Sequence, residues 1–322
     1  MNNDSHNLAL NRALAEAGYA VPPHGAPHRS QLINPRADRD KAIDAYTTYL
    51  HAVPHDISAH ESLAYLFQLT GHGELALKHR TQAVGASVNQ MNLPADQHEE
   101  MLAVMLAREG LAPQPATLPT RYVVRHFDRY ADGFDDHLAG TLDYQGPEHL
   151  LSTFRRVAPV GQGSLDILDL GCGTGLSGAA FRPLARKLLG IDVSAAMLDK
   201  AAQKGIYDEL LHDDLANAVT VLDAAFDLIL AADVFIYVGE LESVFSRVRD
   251  RLTAGGWLVF SVEKGVAGSY RLQRTGRYTH SLDYLQSLAQ EHGLAVREIA
   301  ECVLRMEENA PVAAYSVVMQ AI

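Results

Sequence analysis

The chain has 322 residues, 48% of them hydrophobic and 20% charged, with a formal net charge of −12. These are values of a folded globular protein long enough for one large domain or two moderate ones. The acidic balance argues against a broad nucleic-acid or anionic-membrane surface, since both need clustered cations. Two cysteines, Cys172 and Cys302, supply neither a disulfide framework nor a zinc site by spacing, and no metal centre is expected. The N-terminus has Asp4 and no basic-then-apolar run, and the longest apolar stretch, Phe226–Val238, is interrupted by Asp227 and Asp233. Neither a signal peptide nor a membrane span is expected, and a cytoplasmic location is the default.

Residues 1–38 read as an extension, with a short helix over Leu8–Ala17 and then a Pro/His/Gly-rich loop, Pro22–His28. Ala42, Tyr46 and Leu50, spaced by four, open a helical region over 39–110. Ala42 and Ala76 stand 34 positions apart (76 − 42). With Pro54 as the repeat-closing proline, Leu63, Ala64, Phe67, Ala76 and Ala83 fall on signature positions of a tetratricopeptide repeat. His60 and Arg80 stand where a tryptophan and an aromatic are usual. The segment resembles roughly one and a half such repeats, and about three are usually needed for independent stability, so it is expected to pack on its neighbours. A generic helical bundle is the plainer alternative.

A further helix over Leu93–Glu109 precedes a Pro/Ala-rich linker at 111–120. The next segment, 121–163, carries Tyr122, His126, Phe127, Tyr130, Phe134 and His137, then a helix from Pro147 to Arg156 and a turn at Pro159–Gly163. From 164 to 322 strand and helix alternate. Strands are expected at Asp166–Leu170, Lys187–Ile191, Glu209–His212, Phe226–Ala231 and Trp257–Val262, with helices at Ser177–Arg186, Ala195–Gln203 and Leu241–Arg251. This rhythm implies a parallel sheet covered by helices on both faces. A helix at Leu282–His292 and strands Ala295–Leu304 and Val312–Met319, joined by a short link, close the sheet with an antiparallel hairpin.

The first strand breaks into Gly171, Gly173 and Gly175, a turn at a helix N-terminus whose backbone N–H groups point at a ligand. Gly173-x-Gly175-x-x-Gly178 also matches a dinucleotide fingerprint, with Asp192 at a plausible distance. Against a pyrophosphate stands Asp169, an acid two residues before the turn, which repels an anion and tolerates an ammonium or sulfonium. The closing hairpin is also foreign to a dinucleotide domain.

The combination resembles the class I S-adenosylmethionine-dependent methyltransferases. Asp169–Gly175 is similar to that family's first motif, Gly190–Leu198 to the second, His212–Leu215 to the third, Phe226–Tyr237 to the fourth and Leu252–Glu263 to the strand-five region. The whole chain further resembles bacterial methyltransferases with an N-terminal tetratricopeptide segment, in which a stretch like Phe127-Asp128-x-Tyr130-Ala131-x-x-Phe134-Asp135 precedes the core. The resemblance implies an α/β, Rossmann-like seven-stranded sheet of six parallel strands and one antiparallel, with a helical N-terminal region.

It also implies S-adenosylmethionine as cofactor, with S-adenosylhomocysteine as product. Gly171, Gly173 and Gly175 would approach the cofactor's methionine and ribose, beside Val193 and Ala232, and Asp192 would accept from both ribose hydroxyls. Met197 would pack on the adenine, Asp214 or its neighbour Asp213 would accept from the adenine amino group beside Leu215, and Asp169 would help neutralise the ammonium. Phe127 and Tyr130 would form a lid. From the residues alone, Met197 is as readily a core methionine, Phe127 and Tyr130 are more often core aromatics that only the resemblance lifts, and one of Asp213 and Asp214 is a solvated turn residue.

Methyl transfer is an in-line displacement that needs alignment in a dry site more than an acid–base pair. Candidate bases are His126 and His280, with Asp233 after strand four. Candidate acceptor contacts are Tyr237, Glu263, Tyr270, Arg271, Arg277 and Tyr278, the last four in a locally basic loop that is either a pocket for an acidic small molecule or a solvated loop. The expected activity is methylation of an O or N, carboxylate included, of a small metabolite. Two alternatives are a protein methyltransferase whose repeats recruit a protein partner, and a regulatory module that binds the cofactor without turnover.

Overall fold

A computed structural model describes residues 3–19, 37–140, 142–215, 217, 224–266, 268–307 and 310–322. The loop expected at Pro22–His28 lies outside the described residues. The chain divides into two compact units, Met1–Pro113 and Gln114–Ile322.

The first unit is helical: α1 (Asn3–Glu16), α2 (Arg39–Ala52), α3 (Ile57–Leu69), α4 (Gly73–Asn89) and α5 (Ala95–Arg108). Asp38 and Asp56 cap α2 and α3, their carboxylates accepting from Lys41 N at 3.1 Å and Ala59 N at 2.7 Å. Such caps satisfy otherwise orphaned first-turn donors. Each helix packs on the next in the chain, around Leu10, Leu14, Tyr46, Leu63 and Leu66. His60 is buried and its Nδ1 lies 2.9 Å from Nδ1 of His79.

In the second unit a nine-stranded sheet runs β3-β2-β1-β4-β5, and β5 then pairs with β9, which pairs with β8. The strands are β1 (Leu165–Leu170), β2 (Ala185–Asp192), β3 (Glu209–His212), β4 (Phe226–Ala231), β5 (Leu252–Lys264), β6 (Tyr270–Leu272), β7 (Tyr278–His280), β8 (Leu294–Glu307) and β9 (Ala310–Ala321). β9 is antiparallel to both β5 and β8, so β8 runs with the parallel strands. The hairpin β6–β7 makes the strand count nine rather than seven. β7 takes the edge of β5 beyond Phe260, where β4 ends, pairing Glu263 with Thr279. Its strands of three residues each were too short to register as a periodic pattern, and the expectation there was a loop.

Residue alternation builds the two faces of the sheet. Ile167, Leu228, Leu230, Val259 and Val318 pack with Leu150 and Phe154 of α8 (Gly146–Val157) and Phe181 of α9 (Leu176–Phe181). Their neighbours Leu168, Ile229, Phe260, Val317 and Met319 pack on the other face with Phe245 and Leu285. Those two belong to α11 (Glu242–Arg251) and α12 (Leu282–Glu291), and α10 (Ala195–Lys204) follows β2. The helix expected at Ser177–Arg186 stops at Phe181. Pro183 in the next turn cannot donate to an α-helical ladder, so the chain tightens into a 3₁₀ turn and β2 begins at Ala185. No described helix is long and apolar enough to cross a membrane.

Candidate active site

At the carboxyl ends of β1–β4 the second unit holds a cavity of about 750 Å³. Gly171 turns the chain out of β1 with φ +63°, and a Cβ there would lie 2.4 Å from Val234. Only glycine meets both conditions, and the backbone of Gly171 and Gly173 becomes cavity wall. Asp192 ends β2 at 8% exposure, and its two oxygens accept from Gly173 N and Ser194 N, each at 2.8 Å. Burial pushes this carboxyl's pKa up while the backbone donors oppose the shift. Each oxygen keeps a lone pair for a ligand hydroxyl.

Asp213, Asp214 and Leu215 line the same wall. Asp213 caps its own turn, accepting from Asp214 N at 2.8 Å and from Asn217, whereas Asp214 accepts from the Thr120 hydroxyl. Val193, Ala232, Asp233 and Tyr237 also reach the cavity. Gly175, with φ +92°, caps α9 behind the wall and does not line it. Met197, in the first turn of α10 (Ala195–Lys204), is buried and also outside the lining.

Asp169 does not line the cavity either. It is 1% exposed and turns toward α9, where Tyr207 donates to it at 2.7 Å. Burial raises its pKa to about 7. Tyr207 sits in a slot made by glycines: a Cβ on Gly178 would lie 2.1 Å from its hydroxyl and one on Gly190 2.8 Å from its ring. The third glycine of the dinucleotide-like spacing therefore makes room for a tyrosine.

The segment expected to act as a lid forms α6 (Thr120–Tyr130), a 3₁₀ turn and α7 (Phe134–Gly140). His126, Phe127, Tyr130 and Phe134 line the cavity, with Phe127 edge-on to Tyr237 at 5.4 Å and Tyr130 to Phe134 at 5.2 Å. The acids of the same motif point the other way. Asp128 accepts from Ser194 at 2.6 Å, Asp132 pairs with Lys200 at 2.9 Å and Asp135 with Lys204 at 2.7 Å. One stretch thus carries an aromatic stripe at 127, 130 and 134 and an acidic stripe at 128, 132 and 135, on different sides of a helical path.

Over β4, β5 and β8 the wall changes character. Arg305, 5% exposed near the end of β8, donates to Asp233 at 2.9 Å and to Glu263. Arg277 donates to Glu263 at 2.7 Å and to Glu307. Asp233 has φ +55° and is held by Ser261, whose hydroxyl donates to it at 3.1 Å and accepts its N–H at 2.8 Å. Tyr144 and Tyr237 line this end, and burial holds both phenols in the protonated form.

Of the expected acceptor contacts, Tyr237 and Arg277 line the cavity and Glu263 stands directly behind Arg277 and Arg305. Tyr270, Arg271, Tyr278 and His280 do not line it. His280 is fully buried with Nε2 2.9 Å from the Val238 carbonyl oxygen, and burial drives its pKa to about 4. It is a strut, not a base at the cavity. The Tyr278 hydroxyl donates to the Pro115 carbonyl at 2.7 Å, Arg271 is exposed, and Tyr270 packs on Tyr278. The boundary between the two units falls after Pro113, inside the stretch expected as a linker, and Gln114–Pro119 belongs to the second unit. There Leu118 N donates to Tyr237 O at 3.0 Å and Gly239 N to Ala116 O at 2.8 Å. Sequence reasoning missed Tyr144, Tyr207, Arg305 and Glu307. The one available signal was an arginine directly after the apolar run Cys302–Leu304.

Residues 168–258 match the methyltransferase domain model. Human methyltransferase-like protein 27 is 38% identical over 85 residues, 26% of this chain and 34% of that protein. The tRNA 5-carboxymethoxyuridine methyltransferase of Escherichia coli K12 is 30% identical over 142 residues, 42% of this chain and 54% of that one. The chain thus spans about half, or less, of these relatives' lengths. The cyclase SpnF superposes with a TM-score of 0.52 at 16% identity, over 64% of this chain and 97% of that one. Residues 168–258 are therefore similar to a methyltransferase domain, and the second unit has an α/β, Rossmann-like fold with a mostly parallel mixed sheet.

Proposed function

We propose that the protein transfers a methyl group from S-adenosylmethionine to a small-molecule acceptor in the cavity over β1–β5. The observation that carries this is Asp192, a buried carboxylate at the cavity wall, held by two backbone donors with both oxygens still able to accept. That arrangement suits the two vicinal hydroxyls of a ribose. When bound, S-adenosylmethionine supplies a methyl group on a sulfonium, already activated for displacement.

The chain's own residues do the rest. Gly171 and Gly173 offer backbone to the cofactor, Asp214 and Leu215 take the adenine edge, and Phe127 and Tyr130 cover the site and exclude water. His126, at the cavity wall, is the proton acceptor in reach. For residues 39–110 we keep the tetratricopeptide-like reading, supported by sequential helix packing and by the burial of both Ala42 and Ala76.

Isothermal calorimetry with S-adenosylmethionine and with NADH tests the reading. Micromolar-range binding of the former, lost in Asp192→Ala, is expected, and equal or tighter binding of NADH overturns it.

A further inference from the structure

Resting on that reading, we infer that the acceptor is an amine, recognised by the aromatic and acidic wall over β4, β5 and β8. Among the described lining residues the carboxylates are Asp192, Asp213, Asp214, Asp233, Glu240 and Glu307, whereas the guanidiniums are Arg277 and Arg305 and no lysine is present. Asp192, Asp213 and Asp214 stand at the cofactor end and Glu240 is exposed, so at the acceptor end Asp233 and Glu307, with Glu263 behind them, face Arg277 and Arg305 with one carboxylate in excess. Such an excess is unfavourable until a cation offsets it.

The two arginines do not form an anion site. Arg305 lies between Asp233 and Glu263, and Arg277 between Glu263 and Glu307, so three carboxylates face two guanidiniums. An incoming carboxylate has to displace one of them, and a neutral alcohol leaves the excess charge unanswered. An ammonium answers it.

The second observation is independent of charge count. Tyr237 stands close enough to Asp233 and Glu263 for their charges to act on its phenol, and it meets Phe127 edge to face at 5.4 Å, both rings lining the cavity. Aromatic faces beside carboxylates recognise ammonium groups through their quadrupoles.

The reaction balances with the groups present. The bound ammonium gives one proton to the His126 imidazole at the cavity wall, and through it to solvent. The freed nitrogen lone pair forms the N–C bond as the C–S bond breaks, and its electron pair stays on sulfur as the thioether of S-adenosylhomocysteine. The product leaves as an N-methylammonium.

The test uses the full chain, S-adenosylmethionine and three matched pools of aliphatic and arylalkyl amines, alcohols and carboxylic acids, read as S-adenosylhomocysteine release. The amine pool is expected to turn over at least about tenfold faster than either other pool. Glu307→Gln is expected to raise the amine KM several-fold with S-adenosylmethionine binding unchanged, and Asp233→Asn to do the same in a protein whose melting is checked separately. Faster turnover of alcohols or acids, or no amine turnover by a protein that binds S-adenosylmethionine, overturns the amine inference alone. Failure to bind S-adenosylmethionine overturns the methyltransferase reading and this inference with it.

Discussion

Tyr207 and Asp169 show how one residue pair supports the glycine turn after β1 from behind. The Tyr207 hydroxyl satisfies one oxygen of a carboxyl that is 1% exposed, while its other oxygen has no partner. Tyr207→Phe strips that bond, and leaving a buried group unsatisfied costs about 1–3 kcal/mol. At about 2–4 °C per kcal/mol for a domain of this size, the melting temperature of the variant is expected to fall by several degrees.

The raised pKa of Asp169 adds a pH dependence. Its folded pKa, about 7, lies above the ordinary carboxylate value, so its contribution is complete below about pH 4 and is lost as pH rises through 7. His280 acts with the opposite sign. Its folded pKa is lowered to about 4, so its contribution is present above about 6.5 and is lost as pH falls toward 4. In melting curves of the unliganded protein from pH 5 to 9 the two slopes are expected to oppose each other up to about pH 6.5, with the decline due to Asp169 ending near pH 7, and Asp169→Asn to leave only the rise due to His280. A parallel shift of the whole curve removes Asp169 as the source of the decline.

At the scale of elements, sheet and site differed in how readable they were. β1 and β4 are near-continuous apolar runs because both of their faces are covered, and that pattern survives in a sequence without any partner. The hairpin β6–β7 carries no such pattern, since its pairing depends on an edge of β5 that β4 happens to vacate. The network of Arg277, Glu263, Arg305 and Glu307 joins residues up to 44 positions apart (307 − 263), which local spacing cannot report. Arg277 belongs, by local spacing, to a basic loop, and only the fold brings Glu263 and Glu307 against it.

The lid combines both situations. Its aromatic stripe was readable as a motif, whereas the acidic stripe acquires meaning only beside Ser194, Lys200 and Lys204 of α10 and the capping turn before it. Asp128→Ala removes the bond to Ser194 without touching the cavity lining. A net loss of about 1 kcal/mol corresponds to roughly a fivefold weaker hold of this segment on the turn before α10. S-adenosylmethionine binding is expected to weaken by about that factor and trypsin to cut faster at Arg121, Arg125 and Arg129, with little change in melting temperature. Unchanged cleavage at those sites dissociates Asp128 from lid closure.

At the scale of the whole molecule, the hydrophobic clusters respect the division of the chain. Leu10 to Leu66 make up one, within the first unit, and Leu150 to Ala321 supply the other two, within the second. The described cavity lining begins at Ala116, so it too belongs to the second unit. A unit of more than 200 residues with two covered sheet faces buries enough apolar surface to fold alone. The cut has to fall before Gln114, because the Gln114 side chain accepts from Leu272 N at 2.8 Å and Pro115 O accepts from Tyr278. These bonds fasten the segment that forms cavity wall at Ala116–Leu118. The fragment Gln114–Ile322 is therefore expected to melt cooperatively and to bind S-adenosylmethionine within about threefold of the full chain, by calorimetry. A fragment begun at Thr120 lacks that wall and its pairing with Val238, and it is expected to bind at least about tenfold more weakly. Equal affinity of the two fragments excludes 114–119 from the site, and a non-cooperative Gln114–Ile322 shows that the first unit is needed for the second to fold.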